Sequence, residues 1–117
     1  MQIGELKRDG LIAGDYPTEV QEVTLTGPVE LKRGDVLGIN ADGVVALVDS
    51  TAADGTQNAI GIACDDITVV DNETAVSNMY IKGAFAKRHL RFGGTDTVDT
   101  HIRRMTEIGL IPRTTRI

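Results

Sequence analysis

Few residues in this 117-residue chain are of a type that performs chemistry, and the first to consider is its single cysteine, Cys64. A cysteine nucleophile needs a histidine base within hydrogen-bond reach. Cys64 is instead followed by Asp65 and Asp66, whose negative charges disfavour a thiolate. The two histidines, His89 and His101, lack the cysteine or acidic spacing of a zinc site. We therefore interpret Cys64 as a buried packing residue.

The acidic residues do not form a recognisable site either. Asp65 and Asp66 follow a predicted strand, where neighbouring side chains point to opposite faces and cannot converge on one atom. The stretch Asn40–Gly43 has some calcium-loop character, but the last ligand position falls on Asp49 rather than on glutamate. Phosphate-loop, nucleophile-elbow and dinucleotide fingerprints are missing from the sequence. We predict no catalytic residue, no cofactor and no metal, and therefore no enzyme.

The tripeptide Arg33-Gly34-Asp35 is the one motif that a receptor could read. It lies where the chain must turn into a hairpin, so we interpret it as a turn. The alternative function, from a different class, is a small β-rich ligand-binding or adhesion module that uses this turn.

Composition and charge limit the possible partners. The net charge is −5 and only 3% of the residues are aromatic. Phosphate neutralisation and base stacking therefore cannot support nucleic-acid binding. The apolar runs are too short to span a membrane, and the N-terminus has no secretory signal. Charge is also uneven along the chain, since residues 1–81 carry 4 basic and 14 acidic residues and residues 82–117 carry 8 and 3. This polarity could orient the protein on a charged partner or pair subunits head to tail.

Hydrophobic periodicity predicts several short strands followed by one helix. Asp42-Gly43 between two apolar runs indicates a hairpin, and residues 95–110 have a helical stripe and Gly109 as a C-terminal cap, with Thr95 or Asp96 as N-cap. The fold class is mainly β with one C-terminal α-helix (α+β). The predicted strands are 19–26, 36–40, 44–49, 59–63 and 74–85, and the helical stripe comprises Val98, Ile102, Met105 and Ile108.

Residues 1–16 are glycine-broken and partly apolar, which predicts a flexible N-terminal arm in front of a single domain at residues 17–117. Unpaired backbone donors and a few apolar side chains suit such an arm to strand addition on the sheet edge of a partner. Deleting residues 1–12 is then expected to leave the domain as stable as before.

The order of several short motifs resembles one known family. These motifs are "RGDVLG", "AADGTQNAIGI" and "KGAF", followed by a glycine pair and a helix that ends in "IGL". Between Leu31 and Leu110 the chain resembles the head decoration proteins of lambda-type tailed bacteriophages. The resemblance implies a small domain of the β-tulip type that forms a homotrimer. It also implies synthesis in the host cytoplasm and a place on the outer surface of the virion capsid, at threefold and quasi-threefold positions. There it would bind the major capsid protein and act as cement against DNA pressure.

The resemblance also implies two sets of contact residues. The capsid-binding arm would use the apolar side chains Ile3, Leu6, Leu11, Ile12 and Tyr16. The trimer interface would come partly from residues 69–85, including Val76, Tyr80 and Phe85.

Overall fold

One long strand organises the protein, which the computed structural model describes at residues 10–13 and 17–114. This strand is Thr74–Ala86, with 13 residues. In chain order the strands are β1 (Glu19–Thr26), β2 (Val29–Leu31), β3 (Val36–Ile39), β4 (Val45–Leu47), β5 (Gly61–Ala63), β6 (Ile67–Val69), β7 (Thr74–Ala86) and β8 (Leu110–Arg113). A 3₁₀ turn at Lys87–His89 and the helix α1 (Val98–Glu107) lie between β7 and β8.

The main sheet has the strand order β1-β7-β5-β3-β4, with all of these pairs antiparallel. β8 joins it by pairing in parallel with residues 83–86 of β7. A second sheet consists of β2 and β6. The mainly β, α+β class predicted from the sequence is confirmed.

The core lies on both faces of the main sheet. Consecutive residues of a strand point to opposite faces, and here they separate into two clusters: Val36, Ile62 and Tyr80 belong to one, whereas Leu37, Ala63 and Met79 belong to the other. The first cluster includes Met105 of α1, and the second includes Leu31 and Val69 of the small sheet. The central strands are therefore covered on both sides.

The helix agrees with its predicted position but differs in two details. Its N-cap is Thr97, which forms a capping box with Thr100, instead of Thr95 or Asp96. Gly109, with φ of +95°, follows the helix as predicted. The buried face contains His101 and Met105, so a histidine occupies the inward position that an all-apolar stripe would have given to Ile102.

The sequence patterns did not reveal β2, β6 or β8. β2 and β6 have three residues each and pair across a long separation in sequence. β8 contains Pro112, which removes a ladder donor. The missing donor is tolerated because, among the described strands, β8 pairs with β7 alone and its other edge needs no ladder hydrogen bond.

No helix among residues 10–13 and 17–114 combines the length and the apolar composition of a membrane span.

Candidate interaction surface

The Arg33-Gly34-Asp35 turn is held against the protein's own core. The Arg33 Nη1 donates to the Cys64 carbonyl at 3.0 Å and to the Tyr80 hydroxyl at 2.7 Å. The guanidinium also lies 5.5 Å from the centre of the Tyr80 ring, a distance typical of a cation–π contact. The arginine therefore connects the turn to β7.

Asp35 is the most buried member of this turn, with 0% of its surface exposed. Its Oδ2 accepts a hydrogen bond from the Lys32 amide at 2.8 Å, and its Oδ1 lies 3.0 Å from Arg91 Nε. Burial raises the pKa of Asp35, while the Lys32 amide and the Arg91 charge oppose that rise. A carboxylate enclosed in this way cannot reach a receptor, so the alternative prediction of an adhesion site at this turn is wrong.

Gly34 is required by the backbone geometry of the turn. Its φ is +99°, and a Cβ at this position would lie 2.3 Å from the His89 carbonyl oxygen. Its amide donates to the Ala63 carbonyl at 3.0 Å, and its carbonyl accepts from the Arg91 amide at 3.1 Å. The whole tripeptide is thus explained by folding.

The other residues considered for chemistry are also built into the fold. Cys64 is buried, as predicted. The amide of Arg33 donates to Asp66 at 2.8 Å. His101 is buried, stacks on Phe92 with 5.4 Å between ring centres, and lies 2.7 Å from Asp96. Within residues 10–13 and 17–114, no three histidine, cysteine or acidic side chains gather as metal ligands would.

The Asp96 carboxylate connects the loop after β4 to the start of α1. It accepts hydrogen bonds from the Ser50 amide at 2.6 Å and the Ser50 hydroxyl at 2.7 Å, and it contacts His101. The Ser50 hydroxyl, followed by His101, lowers the pKa of Asp96 below its ordinary value.

This carboxylate gives the first testable prediction. Because the pKa is lower in the folded state, the stability that ionised Asp96 contributes is present above the unfolded pKa of about 3.9 and is lost as the pH falls through the folded pKa. We expect Asp96→Asn to reduce the free energy of unfolding at pH 7 and to have a diminishing effect below about pH 4. Urea unfolding at several pH values measures this. Asp42→Asn, at the exposed hairpin turn, is the control because it removes the same charge from a site outside this network. A loss of stability in Asp96→Asn that does not depend on pH would contradict the prediction.

The three residues predicted for the trimer interface lie in different environments. Val76 is 62% exposed on β7. Tyr80 and Phe85 are buried, and their ring centres are 5.3 Å apart. Both belong to the core cluster that includes Met105, so they have almost no surface to offer to a second copy. Of the three, Val76 remains a candidate.

The predicted arm residues are also separated. Ile3, Leu6 and Tyr16 lie outside the described residues. Leu11 is 1% exposed in the core, and Ile12 is 36% exposed. The Ala86 amide donates to the Leu11 carbonyl at 2.7 Å, so this stretch pairs with the end of β7. The assignment of Leu11 to a capsid contact is therefore corrected, and a deletion that includes Leu11 would remove core packing.

The most exposed large apolar side chains occur at two places on the described surface. Val20 and Val76 lie on the outer face formed by β1 and β7. Val70 is 55% exposed beside a shallow groove of about 440 Å³. The groove is lined by Pro28, Val29, Glu30, Thr68, Val69, Val70 and Asp71.

Comparison with known proteins gives the family. A search of curated proteins found no significant match. A family model described as bacteriophage lambda head decoration protein D matches residues 4–108, which is most of the chain. The match includes the whole of α1 and every strand from β1 to β7, and it ends before β8. The chain therefore belongs to the bacteriophage lambda head decoration protein D family.

Proposed function

We propose that this protein binds as a homotrimer at the threefold and quasi-threefold positions on the outer surface of the expanded phage head. There it holds neighbouring major capsid proteins together against the pressure of packaged DNA. Its domain is of the β-tulip type, and the protein is made in the host cytoplasm. The observation that carries the proposal is the family match over residues 4–108. Capsid binding follows from the family itself; the trimer, its positions and its stabilising effect are the proposed part.

The outer face of the β1–β7 pair supports contact between copies. Val20 and Val76 are exposed apolar side chains on this face, and the polar pair Glu22 and Asn78 lies between them. Apolar side chains mixed with polar ones are the usual composition of a non-obligate interface. Such a contact is compatible with a trimer that is weak in solution and strengthened on the head.

The arm proposal now concerns residues 1–9, since Leu11 is a core residue. Ile3 and Leu6 are apolar side chains of that segment, and strand addition to a capsid protein would bury them. Ordering each residue costs about 1–2 kcal/mol of backbone entropy. Ladder hydrogen bonds, apolar contacts and attachment through three arms together make binding favourable.

The test uses purified expanded heads that lack decoration. We expect the full chain to saturate the heads, to appear as threefold density in images and to raise the temperature at which the heads rupture. Ile3→Ser/Leu6→Ser should lower occupancy and heat resistance sharply, whereas the control Gln2→Ser/Glu5→Ser changes the same segment without removing apolar side chains. Heads that bind no full-length protein would contradict the function. Equal occupancy by both double variants would contradict the arm contact alone.

A further inference from the structure

The two ends of β7 carry opposite charge. At the Thr74 end, the Gly27 amide donates to the Glu73 carbonyl at 2.9 Å, and Val29 of β2 pairs with Val69 of β6. The apolar groove described above is therefore beside the start of β7. Its rim carries the exposed acidic residues Glu30 and Asp71, and the exposed Glu73 is adjacent. We call this surface the acidic groove.

Within residues 10–13 and 17–114, the acidic groove is only partly neutralised by basic side chains. Lys32 Nζ lies 3.6 Å from Glu30 Oε2, and both side chains are largely exposed. An exposed pair of this kind contributes little. From Asp65 to Ile81 the sequence contains four acidic residues and no lysine or arginine. A partner with positive charge would therefore find an excess of acceptors beside an apolar surface.

The Ala86 end of β7 provides such positive charge. Lys87 and Arg88 follow β7 directly, and Arg113 of β8 pairs opposite Ala86. Arg88 and Arg113 are exposed, and Lys87 is half-buried. We call Lys87, Arg88 and Arg113 the basic end. Long cationic side chains can lay their aliphatic stems on apolar surface while the charged head contacts carboxylates.

These two surfaces cannot meet within one chain. A strand of 13 residues spans up to about 40 Å, which is comparable to the 39 Å longest dimension of the protein. The acidic groove and the basic end therefore lie far apart on the same copy. Charge complementarity makes a second copy the fitting occupant of the groove.

We infer that the basic end of one copy docks into the acidic groove of the next. Arginine stems then cover Pro28 and Val70, and the charged heads pair with Glu30 and Asp71. Because the two contact surfaces differ, the contact is heterologous, and a rotation of 120° between copies closes it into a ring of three. This inference rests on the proposed trimer and names its contact.

Charge reversal tests the inference on undecorated heads. Glu30→Lys/Asp71→Lys makes the groove basic, and Lys87→Glu/Arg88→Glu makes the basic end acidic. Each double variant places like charges at every contact, so its apparent dissociation constant for heads should rise by roughly tenfold or more. The quadruple variant restores opposite charges at all three contacts and should bind within about twofold of the unchanged protein. Asp42→Lys/Glu107→Lys is the control for charge change at exposed sites outside the proposed contact surfaces.

The quadruple variant separates contact between copies from contact with the capsid protein. If the two ends bound acidic or basic sites of the capsid protein, exchanging their charges would weaken binding further. Double variants that bind like the control, or a quadruple variant as weak as the doubles, would overturn the inference. In both cases the unchanged protein still decorates heads, so the proposed function would stand.

Disulfide trapping gives a second readout that does not depend on affinity. On saturated heads, Asp71→Cys/Arg88→Cys should form disulfides between copies. Non-reducing electrophoresis should then show cross-linked species of up to three chains and none larger. Each single variant should give no such ladder. Asp42→Cys/Arg88→Cys, with the first cysteine in the β3–β4 turn instead of the acidic groove, is the matched control. Saturated heads on which the test pair cross-links no more than the control would overturn the inference.

Discussion

Gly34→Ala is expected to lower the free energy of unfolding by about 2–4 kcal/mol, one of the largest effects of a single methyl group in this protein. Two costs add at this position. An alanine at φ of +99° is strained. Its Cβ would also lie 2.3 Å from the His89 carbonyl oxygen, a backbone atom that cannot rotate away. Urea unfolding followed by circular dichroism measures the loss.

Gly43→Ala separates the two costs. Gly43 also has a positive φ, +84°, but a Cβ there would meet no atom within 4 Å. Its substitution should cost about 1–2 kcal/mol, from backbone strain alone. Equal losses for the two variants would mean that the turn relaxes away from His89, and would contradict the steric part of the explanation.

Each residue of the adhesion-like tripeptide Arg33-Gly34-Asp35 has a role in folding. Its glycine provides a conformation, its aspartate is enclosed, and its arginine reaches back to Tyr80. Each member has a folding role that involves residues distant in sequence. Variants of the tripeptide are therefore expected to affect head binding through loss of folded protein.

Leu11→Ala is expected to lower the free energy of unfolding by about 2–5 kcal/mol, because it leaves a cavity in a packed core. Leu11 is fully buried in the cluster that includes Phe85, Met105 and Leu110. The neighbouring Ile12→Ala is the matched control. Its partly exposed side chain should cost less than about 1 kcal/mol.

The pair of variants defines where the arm ends and the folded domain begins. A large loss for Leu11→Ala and a small one for Ile12→Ala would establish residues 10–13 as part of the folded domain. Urea unfolding gives both values under the same conditions. Similar small losses would instead mean that the stretch is not needed for stability, and the boundary predicted from the sequence at residue 16 would be retained.

Much of the architecture is determined by local sequence. Asp42-Gly43 between apolar runs specifies the β3–β4 hairpin, since few residues other than glycine adopt the positive φ of this turn. Alternation in β1 places Val23 and Leu25 inside. The stripe through Val98, Met105 and Ile108 and the glycine that follows specify α1. These features depend on neighbours within a few residues, and for that reason they were predictable.

Tertiary packing decided which surfaces are covered. Val76 and Tyr80 share a face of β7 by alternation, yet Val76 is exposed and Tyr80 is buried, because the core cluster with Met105 covers only one end of that strand. The pairing of β2 with β6 and the parallel addition of β8 join segments distant in sequence. Local pattern cannot encode such partners. Alternation thus determined that Val76 and Tyr80 lie on the same face, while long-range contacts determined which of them is buried in the core and which is exposed.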